Sequence, residues 1–219
     1  MPAVPTLLVL GCWLSVVGLV IAEARSSRIG KAVCKLLAST GFVLLAIALG
    51  ATNSTYGLLV LVALVFSWLG DAFLLSRRSA FFLAGLLAFL LAHVVFAVAF
   101  AIASPTSQVL APAFAVLAIC GLLIMRWLWP HLSPTYRFAV GAYILAIVAM
   151  CALAVGLSTA SGAWIYGVGA LAFAASDLSV ARDRFVASSL VNKAWGLPVY
   201  YVAQLLLAWS VATHGAVAA

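Results

Sequence analysis

The chain has 219 residues, of which 68% are hydrophobic and only 7% are charged. Water-soluble domains are about 45–50% apolar and about 25% charged, so this composition excludes a soluble fold and indicates a protein whose solvent is lipid. The formal net charge of +7 does not indicate a nucleic-acid partner, because the basic residues lie in short gaps between long apolar runs.

Eight apolar runs, each about 20 residues long, follow one another along the chain. Their hydrophobicity is continuous rather than alternating, which is typical of membrane helices and not of membrane strands. The sequence therefore predicts an all-α, polytopic membrane bundle that forms one domain over residues 1–219. The predicted spans lie near residues 4–22, 29–50, 56–75, 80–103, 109–127, 136–157, 162–181 and 192–213.

The basic residues alternate between the connecting loops and so predict the orientation of the bundle. Odd-numbered loops contain or adjoin lysine and arginine, whereas loops two, four and six contain neither. Cytoplasmic loops are enriched in these residues, so we expect the odd-numbered loops in the cytoplasm and both termini outside. The residues that carry this pattern are Arg25, Arg28, Lys31, Arg77, Arg78, Arg126, Arg137, Arg182 and Arg184.

The chain contains only four acidic residues. Glu23 and Asp183 lie among arginines in predicted cytoplasmic loops, where solvated ion pairs account for them. Asp71 and Asp177 lie inside predicted spans, roughly 8–9 Å below the cytoplasmic boundary. A charge within the membrane costs at least ~2.5–3.5 kcal/mol on insertion scales, so these two carboxyl groups indicate a functional site.

Other polar residues occupy the same region of the predicted bundle. Lys35 lies one turn inside the second span, and Lys193 opens the last span from the same side, although both could instead extend to the headgroups. Single polar residues in a membrane helix are explained by packing or one hydrogen bond, but polar residues on five helices predict a shared site. The further candidates are His93, Ser176, Tyr200, Tyr201 and Gln204.

Asp71 and Asp177 each fall in the third helix of a four-helix half, and each is followed by basic residues. This spacing suggests a parallel repeat of four plus four helices, and membrane proteins build sites at such repeat interfaces. The sequence contains no nucleophile elbow, zinc-binding helix motif, Walker loop or glycine fingerprint. We expect no metal and no other cofactor, which leaves the carboxyl groups as the available acid and base.

Several segments, taken in order, resemble the YhhN family of integral membrane proteins. They are Phe66–Asp71, Gly85 through Phe89 to His93, Ser176–Asp177 and Tyr200–Gln204, so the resemblance runs over about residues 35–204. The family usually has Lys-Pro where this chain has Lys35-Leu36. The resemblance implies that the polar family positions are Lys35, Asp71, His93, Ser176, Asp177, Tyr201 and Gln204.

The YhhN family includes animal lysoplasmalogenases, which hydrolyse the vinyl-ether bond of lysoplasmalogens. The resemblance implies a lysoplasmalogenase-like hydrolase of ether lysophospholipids in the plasma membrane of a bacterium, working from the cytoplasmic leaflet. Its expected products are a fatty aldehyde and a glycerophospho-headgroup. Asp71 and Asp177 together are the expected acid and base, on the analogy of glycosidases, and the sequence does not decide which of them is the acid. The expected substrate-binding residues are Lys35, His93, Ser176, Lys193, Tyr200, Tyr201 and Gln204.

Two other classes of protein would use the same residues differently. A small transporter or lipid-translocating protein would use the Asp and Lys residues as a relay, and a structural protein would use them to lock helices together. A transporter should show polar residues from one face to the other, whereas here they cluster at one depth. The expected partners are a lysophospholipid and the bilayer, with no nucleic acid, and the oligomeric state stays open.

Overall fold

The computed structural model of the protein describes residues 3–76 and 78–218. Arg77, one of the residues that predict the orientation of the third loop, lies outside the described residues.

Eight α-helices follow one another, and the described residues contain no strand, which confirms the all-α prediction. Helices α6 and α8 extend further at their C-terminal ends than predicted, and α7 begins three residues later, because Gly162 ends α6 in the left-handed conformation with φ +70°. The helices are α1 Ala3–Ala24, α2 Arg28–Ala48, α3 Thr55–Phe73, α4 Ser79–Ile102, α5 Ser107–Leu128, α6 Pro134–Ser161, α7 Ile165–Ala181 and α8 Leu190–Ala218.

Among the described helices, seven are long and apolar enough to cross a membrane by length and composition. Helix α7 has only 17 residues, and a single π-helical turn over Arg182–Val186 extends its helical path at the C-terminal end. The protein is therefore an integral membrane protein built as a polytopic helical bundle. The predicted parallel repeat of four plus four helices stays a prediction.

Serine side chains begin two of the helices that carry the predicted site. The Ser27 hydroxyl accepts a hydrogen bond from the backbone N–H of Gly30 at 3.2 Å at the start of α2. Ser54 accepts from the N–H of Gly57 at 3.0 Å at the start of α3. These caps satisfy donors that the first helical turn leaves without a partner, so the register of both helices is defined close to the membrane surface.

Helix α8 lies at the centre of the bundle, in contact with α1, α2, α3 and α7. The most extensive helix pairs, α3–α4 and α7–α8, are formed by consecutive helices, whereas α4 packs against α6 rather than against α5. Helix α5 packs mainly against α6 and buries few residues within the protein. The polar face of α8 therefore meets the polar faces of α2 and α3 in the interior.

Glycines allow the two tightest helix pairs to approach closely. A Cβ atom at Gly70 in α3 would lie 2.6 Å from the Phe89 ring of α4. A Cβ atom at Gly196 in α8 would lie on the Ser179 side chain of α7. Small residues of this kind let membrane helices pack backbone to backbone, and here they bring Asp71 and Phe89 to the same level.

We expect Gly70→Ala to lower the free energy of unfolding by about 1–3 kcal/mol, because the added methyl group overpacks a filled interface. Gly141→Ala is the matched control, since its added Cβ meets no atom within 4 Å. Thermal unfolding of the purified proteins in detergent measures both effects. Equal stability of the two variants would show that the α3–α4 interface has room at this point.

Candidate active site

A cavity with a volume of about 1420 Å³ is lined by residues of all eight helices. Both predicted catalytic residues, Asp71 and Asp177, lie in its wall. Of the predicted substrate-binding residues, four also line the cavity and three are buried outside it. The lining residues are Lys35, Ser176, Lys193 and Tyr200, and the fully buried ones are His93, Tyr201 and Gln204.

Asp71 is the centre of the first polar cluster in this wall. Its Oδ1 atom lies 3.1 Å from the Lys35 ammonium group. Its Oδ2 atom accepts hydrogen bonds from the Ser39 hydroxyl at 2.5 Å and the Tyr200 hydroxyl at 2.8 Å. The Tyr201 hydroxyl lies behind them, 3.2 Å from the Ser39 oxygen. Three donors converge on one carboxyl group, and this arrangement suits an ionised carboxylate, which only accepts.

The chain builds this cluster from three helices. Lys35 and Ser39 are one turn apart on α2 and therefore face the same side, towards Asp71 on α3 and Tyr200 on α8. Asp71 is 2% exposed and the Lys35 side chain 12% exposed, so the ion pair is largely shielded from water. The sequence analysis missed Ser39, although its position four residues after Lys35 was a signal that could have identified it.

Asp177 lies in a different environment, against His93 of α4. Its Oδ2 atom is 3.2 Å from His93 Nε2, although the contact lacks the alignment of a hydrogen bond. Tyr143 of α6 lies beside the same pair, and its ring packs edge to face against His93 with 5.1 Å between ring centroids. The His93 ring stacks on Phe173, with 4.2 Å between ring centroids. Tyr143 was not predicted, because one tyrosine in an apolar span carries no signal of its own.

The hydrogen bonds of His93 restrict where protons can lie. Nδ1 is 2.7 Å from the backbone carbonyl of Phe89, and a carbonyl only accepts, so Nδ1 carries a hydrogen. In a neutral ring Nε2 is then an acceptor, and it would face the oxygen of an ionised Asp177 without a proton between them. The close contact is therefore favourable only when the His93–Asp177 pair holds one proton more than a neutral imidazole and an ionised carboxylate would.

Aromatic rings fill the space between the two carboxyl groups. The Tyr200 ring packs against Phe89 and Phe173, with centroid distances of 5.9 Å and 5.8 Å. Phe89 and Phe173 pack edge to face at 6.1 Å. The hydroxyl of Tyr200 belongs to the Asp71 cluster, whereas its ring contacts the residues beside the His93–Asp177 pair. The two acidic groups therefore share one wall but have separate partners.

Ser176 and Gln204 contribute less than the sequence analysis expected. The Ser176 hydroxyl lies in the cavity wall but donates to the backbone carbonyl of Phe173 at 2.7 Å. Both side-chain amide atoms of Gln204 are buried without a hydrogen-bond partner among the described residues, and we have no physical account of this. The role of Gln204 as a substrate-binding residue stays a prediction.

The structure does not place Glu23 in the solvated ion pair with arginine that we expected from the sequence. Its Oε2 atom binds two lysines instead, Lys31 at 2.9 Å and Lys193 at 3.0 Å, and its side chain is only 15% exposed. Asp183 likewise accepts a hydrogen bond from the backbone N–H of Ser189 at 2.9 Å. Lys193 thus lies at the mouth of the cavity, with Glu23 and Lys31, rather than beside Asp71.

Helices α5 and α6 form a long apolar wall of the cavity. The sequence analysis did not identify this wall, because these side chains are chemically the same as those that face lipid. The wall is smooth and carries no formal charge. Its residues are Leu117, Cys120, Gly121, Ile124, Leu128, Val140, Ile144, Ile147 and Val148.

Comparison with known proteins agrees with the resemblance. The model of the YhhN family matches residues 31–211. A lysoplasmalogenase TMEM86A of Bos taurus is 34% identical over 167 residues, which is 69% of this chain and 64% of the relative. Its human counterpart is 37% identical over 160 residues, with the same shares of each chain.

More distant bacterial relatives carry a similar name. A Mycobacterium bovis protein named lysoplasmalogenase is 33% identical over 153 residues, 61% of this chain and 55% of the relative. The chain thus spans 64% of the length of the animal relatives that it matches. No solved structure matches the chain.

Proposed function

Because the chain belongs to the YhhN family, we propose that it hydrolyses the vinyl-ether bond of lysoplasmalogen-type ether lysophospholipids. The products are a fatty aldehyde and a glycerophospho-headgroup. The observation that carries this proposal is the presence of two carboxyl groups with different partners in the wall of one cavity. Asp71 has the partners of a carboxylate, and Asp177 faces a histidine with which it shares a proton.

The shape and lining of the cavity suit a single-chain amphiphile. The α5–α6 wall accommodates an alkenyl chain, and the cytoplasmic mouth carries lysines and arginines that suit a phosphate. Pockets for small ligands are typically about 300–1,000 Å³, and the volume of about 1420 Å³ leaves room for a chain and a headgroup together. The vinyl ether, which joins the alkenyl chain to the glycerol, then lies between the apolar wall and the mouth, beside Asp71 and Asp177.

The first chemical step is protonation of the alkene carbon that is not bonded to oxygen. Asp177 is the donor, because its carboxyl group lines the cavity and the His93–Asp177 pair holds the proton. The electron pair of the carbon–carbon double bond forms the new C–H bond, and the ether oxygen shares its lone pair with the cationic carbon. His93 itself is fully buried and acts through Asp177 as a positioning residue.

The second step is attack of water on the oxocarbenium carbon. The Asp71 carboxylate stabilises the cation electrostatically and accepts the proton that the attacking water loses. Lys35, Ser39 and Tyr200 hold this carboxylate in place through one ion pair and two hydrogen bonds. Their donors also disfavour premature protonation of Asp71, so the two acidic groups begin the cycle in opposite states.

Collapse of the resulting hemiacetal restores both groups. Asp71, now protonated, gives its proton to the glycerol oxygen as the carbon–oxygen bond breaks. Asp177, now ionised, takes the proton from the hemiacetal hydroxyl as the carbonyl forms. The net reaction consumes one water molecule and no other reactant, and each carboxyl group returns to its initial protonation state.

We expect the detergent-purified protein to release fatty aldehyde from lysoplasmenyl lipids, as detected by mass spectrometry. In deuterated water the aldehyde should carry one deuterium on the carbon next to the carbonyl, because that carbon receives the proton from the enzyme. The matched substrate control is the saturated alkyl-ether lysolipid, which has no double bond to protonate and should remain intact.

Absence of aldehyde from well-folded protein, with both ethanolamine and choline headgroups, would overturn the proposed function. Lipid flux in proteoliposomes without product would then favour a lipid-translocating protein. Aldehyde without deuterium at the adjacent carbon would retain the hydrolase but reject alkene protonation as its first step.

A further inference from the structure

A second, smaller cavity of about 280 Å³ opens at the cytoplasmic end of the bundle. It shares several lining residues with the larger cavity, so the two meet at the mouth. The shared residues are Glu23, Ser26, Lys31, Ser188 and Lys193. We call Glu23, Lys31 and Lys193 the mouth triad, because their side chains lie where the two cavities join.

The mouth triad contains more positive than negative charge. Both lysines contact the same carboxylate oxygen, Glu23 Oε2, at 2.9 Å and 3.0 Å, and the other oxygen takes no part in these two contacts. Each ammonium group has three N–H donors, so each retains donors beyond the one used on Glu23. Side-chain exposures of 15–26% leave the groups accessible from the cavities.

This arrangement differs from an ion pair that only ties helices together. A structural pair needs one cation for one anion, and here one carboxylate holds two ammonium groups in a half-buried place. The excess positive charge favours an additional anion between the lysines. Once an anion balances that charge, the Glu23 oxygen that takes no part in the two lysine contacts can accept a hydrogen bond from a nearby ammonium group. A group with an anion and a cation a few bonds apart satisfies both requirements.

We propose that the mouth triad binds the zwitterionic headgroup of an amino-alcohol phospholipid, with the small cavity holding the amino alcohol. Lys31 and Lys193 bind the phosphate, and the Glu23 carboxylate binds the ammonium group. This assignment deepens the proposed function and rests on it for the identity of the lipid. It makes Glu23 the residue that distinguishes a zwitterionic headgroup from a simple phosphate monoester.

The depth of the catalytic cluster agrees with this assignment. Lys31 and Lys35 are consecutive turns of α2, about 6 Å apart along its axis. A phosphate bound at Lys31 therefore places the glycerol about one turn of α2 deeper in the bundle. The vinyl-ether oxygen, on the glycerol carbon opposite the phosphate, then reaches Lys35 and Asp71. The alkenyl chain then continues along the α5–α6 wall.

The test is equilibrium binding of two saturated lysolipids that lack the vinyl ether and so cannot be cleaved. One is O-hexadecyl lysophosphatidylethanolamine, and the other is the corresponding O-hexadecyl lysophosphatidic acid. We expect Glu23→Gln to weaken binding of the ethanolamine lipid and to tighten binding of the phosphate monoester, changing the ratio of the two Kd values by about tenfold. Arg126→Gln, which removes an exposed charge at the end of α5, is the control and should leave this ratio unchanged.

Lys193→Gln separates recognition from structure. We expect it to weaken binding of both lipids, since each phosphate loses a hydrogen-bond donor. If the triad were purely structural, Glu23→Gln and Lys193→Gln would both lower thermal stability and leave the ratio of the two Kd values unchanged. An unchanged ratio in folded Glu23→Gln protein, or no binding of either lipid to the wild type, overturns this assignment. A changed ratio in a protein that releases no aldehyde would overturn the proposed function and leave the headgroup site standing.

Discussion

We expect Asp177→Asn to reduce aldehyde release by about 10²–10⁴-fold, the contribution typical of a positioned general acid. The amide cannot act as an acid, whereas the Asp177 carboxyl group, 3.2 Å from His93 Nε2, is the proposed proton donor. The amide can still donate an N–H to the neutral Nε2 of His93, so the contact between α7 and α4 is preserved. We therefore expect near wild-type thermal stability together with almost complete loss of turnover.

His93→Gln is the companion variant for this prediction, because His93 does not touch the cavity. We expect it to retain part of the activity and to change the pH profile of turnover, since Asp177 would hold its proton without the imidazole. Turnover is measured by mass spectrometry of the aldehyde at several pH values. Folded Asp177→Asn protein with activity within about tenfold of the wild type would exclude Asp177 as the acid.

Asp71→Asn should have the largest combined effect on stability and activity. The substitution leaves the Lys35 ammonium group without its carboxylate in a site where its side chain is only 12% exposed. Breaking a buried ion pair on one side costs about 3–5 kcal/mol of unfolding free energy. Activity should also be lost, because the variant has no carboxylate to stabilise the oxocarbenium ion or to take the proton from water.

The double variant Asp71→Asn/Lys35→Met distinguishes these two effects. Removing both charges eliminates the unpaired ammonium group, so much of the lost stability should return, whereas the activity should not. Thermal unfolding and aldehyde release, measured on the same preparations, give both quantities. A single Asp71→Asn variant as stable as the wild type would show that Lys35 finds another partner, and an active double variant would remove Asp71 from the mechanism.

The different roles that we propose for the two carboxyl groups rest on their unequal surroundings. Asp71 has a lysine and two hydroxyl donors from α2 and α8, which favour its charged form. Asp177 has a histidine whose other nitrogen is committed to a backbone carbonyl, which favours a shared proton. Glycosidases separate an acid from a base in a comparable way, by placing similar carboxyl groups in dissimilar environments.

The headgroup site that we propose at the mouth triad lies apart from Asp71 and Asp177. Glu23 and Lys31 belong to the first two helices, and Lys193 begins the last one. The headgroup site therefore joins the two ends of the chain, whereas the catalytic carboxyl groups come from α3 and α7. Changes in headgroup preference can then occur without changes in the residues that perform the chemistry.

The sequence alone determined the membrane class, the number and approximate ends of the helices, and the family. The membrane class and the helices follow from continuous hydrophobicity over about 20 residues and from the intolerance of lipid for unpaired backbone groups, which are local along the chain. The family was indicated by the resemblance of several short motifs in order. It also singled out Asp71 and Asp177, because an acidic residue within an apolar span is rare for an energetic reason. The spacing of Lys35 from the cytoplasmic end likewise placed it near Asp71.

The tertiary structure alone decided which groups are partners. Lys35 and Lys193 look alike in the sequence, yet one binds Asp71 and the other binds Glu23, because rotation of each helix about its axis depends on packing against several neighbours. Ser39 and Tyr143 entered the site for the same reason. The apolar cavity wall of α5 and α6 had no sequence signal, since in lipid a side chain that faces a cavity and one that faces the bilayer are equally apolar.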